Sequence, residues 1–68
     1  MTLADDIINE LRQNSGLTVA EITLNIFGRR YPYKQKVSRE CQRLVQADRL
    51  ERRGNGGQGD PFTYYMPR

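Results

Sequence analysis

Two stretches of this chain carry residues whose types and spacing invite chemistry. Residues 54–59 read GNGGQG, a literal G-x-G-x-x-G. Residues 34–43 read KQKVSRECQR, a run of long hydrogen-bond donors interrupted by apolar residues. The first pattern is the phosphate-binding fingerprint of dinucleotide folds, in which the glycines follow a strand and open a helix whose N-terminus holds the pyrophosphate. The second suits contact with a polyanion and with base edges, because Arg pairs with guanine O6 and N7 and Gln with adenine N6 and N7.

The neighbours of the glycines argue against the first chemistry. Gly59 is followed by Asp60-Pro61 and a β-rich segment, so no helix opens after it. No Lys-Ser/Thr pair follows the last glycine, so the stretch is not a P-loop either. No cofactor is expected. The chain has no histidine and a single cysteine, Cys41, which rules out an intrachain disulfide and an ordinary Cys/His zinc site. Nucleophilic catalysis by Cys41 needs a neighbouring base, and Cys41 lies on an apolar stripe, so it reads as a small core residue. Asp5 and Asp6 are accounted for by a helix dipole and by solubility. The expectation is a binding protein and not an enzyme, with no metal and no small-molecule substrate.

The elements that must position the donors follow from periodicity. Thr2 precedes Leu3, Ala4, Ile7, Ile8 and Leu11, which recur at helical spacing and predict a helix over about 3–13, stopped by Asn14-Ser15-Gly16. Thr2 with Asp5, and Thr18 with Glu21, fit capping boxes. The second helix, about 19–27, puts Val19, Ile22 and Ile26 on one face and ends near Gly28. Leu24 falls off that face and is expected to be exposed. Pro32 suits the first turn of a third helix over about 33–47. That helix buries Val37, Cys41, Leu44 and Val45. Leu50 to Arg53 and Phe62 to Met66 read as strands, with Phe62, Tyr64 and Met66 on the core side, joined by a loop over 54–60. The glycines then form a hairpin tip, which is expected to be mobile until it meets a partner. A short extended stretch near Leu17 could add a third strand.

Sixty-eight residues suffice for one small domain, spanning 1–68. The charge is uneven within it. Residues 1–28 carry four acids against Arg12 alone, a net −3; residues 29–68 carry ten Lys/Arg against four acids, a net +6. Such asymmetry suggests a polyanionic partner for the second part. No apolar run approaches the roughly 20 residues of a membrane span, and MTLADD lacks the sections of a signal peptide. An intracellular, cytoplasmic protein without membrane contact is expected.

On the third helix, the face opposite the core stripe is centred near Arg39, with Gln35 and Gln42 on one side, Lys36 and Arg43 on the other, and Ser38 nearer the boundary. No acid lies at its centre, although a helix needing only solubility would mix signs at i, i+4. Arg52 and Arg53 stand at the base of the hairpin, with Asn55 and Gln58 in its tip.

The element order, together with VSRECQRLVQADRLERRG and the closing DPFTYYMP, resembles the winged helix-turn-helix family: a recognition helix ends in a Leu-Val pair, turns, and enters a wing. The resemblance implies an α+β fold, a three-helix bundle with a C-terminal two- or three-stranded antiparallel wing. It implies binding of double-stranded DNA, with the third helix in the major groove and the wing on the backbone or minor groove, as in a small transcriptional or replication-related regulator. On that expectation Gln35, Ser38, Arg39 and Gln42 face bases. Arg29, Arg30, Lys34, Lys36 and Arg43 contact phosphates. Arg52, Arg53, Asn55 and Gln58 serve the wing. The connection Arg29-Arg30-Tyr31-Pro32 is longer than the tight turn of the simplest helix-turn-helix proteins. Tyr31 and Tyr33 either stack on the nucleic acid or pack on the core rim. The alternative is a winged helix that contacts protein, for which exposed Leu24 is the only hint, since the third helix shows no apolar anchors outward. Single-strand binding would need a platform of exposed aromatics, for which only Tyr31, Tyr33 and Tyr65 are candidates.

Overall fold

The computed structural model describes residues 2–29 and 33–67. It contains three helices, α1 (Leu3–Gln13), α2 (Val19–Phe27) and α3 (Lys34–Gln46), followed by an antiparallel pair, β1 (Glu51–Arg53) and β2 (Thr63–Tyr65). This is a small α+β arrangement. Arg30, Tyr31 and Pro32, for which phosphate contact, stacking and a helix-start role were expected, lie outside the described residues.

Each of the first two helices is started by a reciprocal cap. Thr2 Oγ1 accepts from Asp5 N–H at 3.2 Å while Thr2 N–H donates to Asp5 Oδ2 at 3.3 Å. Thr18 and Glu21 repeat the pattern, and the Thr18 hydroxyl also donates to Glu21 Oε1. Two of the orphan N-terminal donors are thereby satisfied at each helix. Glu10 then ties α1 to α2: its Oε2 accepts from Asn14 Nδ2 at 3.1 Å and from Asn25 Nδ2 at 3.0 Å.

The end of α3 is closed differently. Asp48 takes a left-handed φ of 59°. Its N–H donates to Val45 O, and Arg49 N–H donates to Leu44 O at 2.8 Å. That pair of bonds is a Schellman closure with aspartate where glycine usually stands. The closure turns the chain sharply, so that Leu50 drops into the core at 3% exposure before β1 begins.

All three helices and the hairpin share one core. Ile7, Ile8 and Leu11 come from α1, Ile22 from α2, Val37, Cys41 and Leu44 from α3, and Leu50 and Tyr64 from the hairpin. The α2 hydroxyl of buried Thr23 is satisfied by Val19 O at 2.7 Å. Phe62 and Met66 pack on this core only partly, as do Val45, Val19, Ile26 and Phe27. Burial pushes the Cys41 thiol up to about 12, helped by the Glu40 charge, so the thiol stays protonated and behaves as a hydrophobe.

The hairpin pairs Glu51 with Tyr65, Arg52 with Tyr64 and Arg53 with Thr63. The stretch near Leu17 does not become a third strand. It makes a single antiparallel bridge, with Gly16 N–H donating to Tyr64 O at 2.8 Å and Tyr64 N–H to Leu17 O at 2.9 Å. Two bonds are enough to clip β2 to the α1–α2 connection and so to fix where the hairpin sits.

Candidate nucleic-acid interface

The outward side of α3 is made of donors. Gln35, Arg39 and Gln42 are exposed, as are Lys34, Lys36 and Arg43. Ser38 is half-buried, in line with its place at the edge of that face. Arg43 is not a free cation: its guanidinium lies 3.7 Å from Glu40 Oε2, one turn earlier. A solvent-exposed pair of this kind is worth about 0–1 kcal/mol, so a stronger anion would displace it.

Among the described residues, the start of α3 differs from those of α1 and α2. Its cap is Tyr33, whose side chain makes no capping hydrogen bond, and the first turn holds no acid. It holds Lys34 and Lys36 instead, at the positive end of the helix dipole. Tyr33 is held otherwise: its ring stacks on Phe27 with centroids 4.6 Å apart and planes 20° from parallel. Of the two roles weighed for Tyr33, the structure displays packing at the core rim. Lys36 Nζ stands 5.9 Å above the same ring. Arg29 is exposed just after α2.

Beside α3 runs an open groove of about 380 Å³. One wall is α3, through Lys34, Ser38 and Gln42, spaced one turn apart. A second is the start of α2, from Thr18 to Ala20. The third is the hairpin, through Gly56, Pro61, Phe62 and Tyr64. The three candidate α3 residues on this wall are therefore closer to the hairpin than Gln35 and Arg39 are.

Arg52 and Arg53 are adjacent in β1, so their side chains leave opposite faces of the hairpin. Arg52 lies 4.1 Å from the centroid of Phe62, a groove residue. Arg53 lies 4.5 Å from the centroid of Tyr65. Arg52 also stands close enough to the Tyr64 hydroxyl to offset part of the upward pull that burial exerts on its pKa. The two arginines that the sequence groups at the base of the hairpin are thus divided between its faces, and Arg52 is the one on the groove residue Phe62.

The hairpin tip makes hydrogen bonds of its own. Asn55 Oδ1 accepts from Gly57 N–H at 2.8 Å, Gly56 N–H donates to Asp60 O at 3.1 Å, and Asp60 N–H donates to Gly57 O at 3.2 Å. Asn55 is thus committed to its own turn, while Gln58 is exposed at the apex. Two glycines are obligatory here. Gly54 has φ 96° and a Cβ on it would stand 2.6 Å from Pro61 O. Gly56 has φ 85° and a Cβ on it would stand 2.6 Å from Phe62 Cε2. The glycines are spent on a turn that closes over the Phe62 ring, and Gly59 leads to Pro61 and β2 without a helix.

Among the described residues, no group of three or more His, Cys, Asp or Glu side chains gathers to hold a metal, and no helix is long and apolar enough to cross a membrane. No family model, no curated protein and no solved structure matches the chain.

One residue was missed by the sequence reading. Gln46 is exposed and stands at i+4 from Gln42, so the donor face extends to the last residue of α3. The same 3.6-residue period that located Gln35 and Arg39 would have found it.

Proposed function

We propose that the chain is a winged helix-turn-helix module that binds double-stranded DNA, with α3 in the major groove and the hairpin as its wing. The reading places it inside the cell, in a regulatory role and not a catalytic one. The observation that carries it is the juxtaposition along α3: an outward donor face without an acid at its centre, flanked by a groove whose far wall is a hairpin bearing Arg52. A duplex suits an outward face of cations and amides, because phosphates supply most of the affinity and base edges the selectivity. The cations at the start of α3, with no cap from the Tyr33 side chain, fit an anion supplied from outside.

Fluorescence anisotropy with labelled duplexes tests it. Roughly five phosphate contacts predict a log–log salt slope of about −4 to −5. The double variant Gln35→Ala, Arg39→Ala should lose discrimination between duplexes while keeping most of its non-specific affinity. Equal discrimination by variant and wild type would remove α3 as the reader; no binding to any duplex at low salt would end the reading altogether.

Leu24, 49% exposed, favours a protein contact in its place. On the DNA reading, Leu24→Asp leaves duplex affinity unchanged; a fall in affinity with the fold intact would show that α2 takes part.

A further inference from the structure

The faces of α3 sort into three, and that sorting says what kind of duplex the module would prefer. At roughly 100° per residue, Gln35, Arg39, Gln42 and Gln46 fall within about 60° of one another. They form one stripe at i, i+4, i+7 and i+11, and all four are exposed. Lys34 and Ser38 lie to one side of it, on the groove wall opposite Gly56 and Phe62. Lys36 and Arg43 lie to the other side.

A helix in a major groove meets three surfaces in that order: one sugar–phosphate strand, the base edges, the other strand. Resting on the DNA-binding reading above, we propose that α3 lies lengthwise in the major groove and that Gln35, Arg39, Gln42 and Gln46 together read a guanine flanked on both sides by adenines. Ser38, half-buried and about 40° further round the helix than exposed Gln42, then belongs with Lys34 against one backbone strand, and not with the base readers. Arg52, stacked on the Phe62 ring, stands beside that same strand. Lys36 and Arg43 take the other, where a phosphate replaces Glu40 as the partner of Arg43.

Length and chemistry both set the read-out. Eleven residues at about 1.5 Å each make a stripe of about 16 Å, which spans on the order of five base pairs at about 3.4 Å per step. The one arginine is flanked by amides on both sides in the stripe, and the pairing of Arg with guanine and Gln with adenine translates that order directly. Had only the first turn of α3 entered the groove, Gln46 would lie about 18 Å from Lys34 and read nothing. The unbroken stripe argues for the lengthwise pose.

Selection of duplexes from a randomised library by the 68-residue chain, repeated with Arg39→Ala and Gln46→Ala, tests this. Circular dichroism of each variant checks that these exposed changes leave the fold intact. The expected result is an enriched guanine between adenines. Arg39→Ala should lose the guanine preference, on the order of tenfold to a hundredfold against other bases. Gln46→Ala should lose the preference at one end only. An enriched site without this pattern, or a Gln46→Ala selection identical to wild type, would overturn the lengthwise assignment while DNA binding itself stood. Retention of no duplex would overturn both.

Discussion

α1 and α3 are alike on the inside and opposite on the outside. Each buries three apolar side chains against the same core: Ile7, Ile8 and Leu11 in one, Val37, Cys41 and Leu44 in the other. Their exposed ends differ. α1 begins with a capping box and two acids in its first turn, and carries Arg12 in its last, so these charges agree with the dipole, while Glu10 in the last turn is instead tied to Asn14 and Asn25. α3 begins with no side-chain cap and two lysines, which oppose the dipole. On the DNA-binding proposal, the contrast separates a helix that holds the fold from one that meets an anion.

The contrast can be broken at its largest scale by exchanging inside for outside. Ile7→Ala, at a position with no exposure, should cost about 2–5 kcal/mol, enough to threaten a domain of this size. Arg39→Ala should stay within about 0.5 kcal/mol. Urea unfolding of both variants measures the gap, and comparable losses would mean that α3 is not a displayed face.

A smaller effect is expected at the caps. Thr2→Ala should cost about 1 kcal/mol, read from the shift in thermal midpoint. Hydrogen bonds from Thr2 hold the Asp5 carboxyl below its ordinary value of 3.8. The folded pKa is depressed, so the contribution of the box is complete above 3.8 and is lost as pH falls through the folded value. The stability difference between wild type and Asp5→Ala, which removes the carboxylate, should therefore shrink in acid. A difference that stayed constant down to pH 2 would show that the carboxylate takes no part.

The smallest effect on stability is also the sharpest test of the comparison. Lys34→Glu places an acid in the first turn of α3 and should stabilise the fold by about 0.3–1 kcal/mol. The same change should weaken duplex binding. Stability and affinity moving together, in either direction, would remove the claim that the start of α3 gives up one for the other.

Much of this was legible residue by residue. The helices at Leu3–Gln13 and Val19–Phe27 occupy the spans their apolar periods and Thr caps specify, because helical spacing and capping are local. Cys41 was readable as core from its neighbours on the stripe, and Leu24 as exposed from its absence from one. Gln46 was equally available and lay one turn beyond where the stripe was followed. The role of the glycines was not legible. GNGGQG is consistent with a mobile tip, and only the approach of Phe62 to Gly56 and of Pro61 to Gly54 makes those residues necessary to a folded turn.

The sequence by itself determined which segments are helical, most of the side chains they bury (Thr23 is buried unforeseen and Val45 only half-buried), and that the second part of the chain carries the positive charge, since periodicity, caps and composition act over a few residues. Only the tertiary structure decided where the hairpin stands. Two hydrogen bonds from Tyr64 to Gly16 and Leu17, with Tyr64 and Leu50 in the core, dock it against helices far away in the chain. That docking opens the groove beside α3, with Lys34, Ser38 and Gln42 on one wall and Phe62 on another, and puts Arg52 on the Phe62 ring and Arg53 on Tyr65.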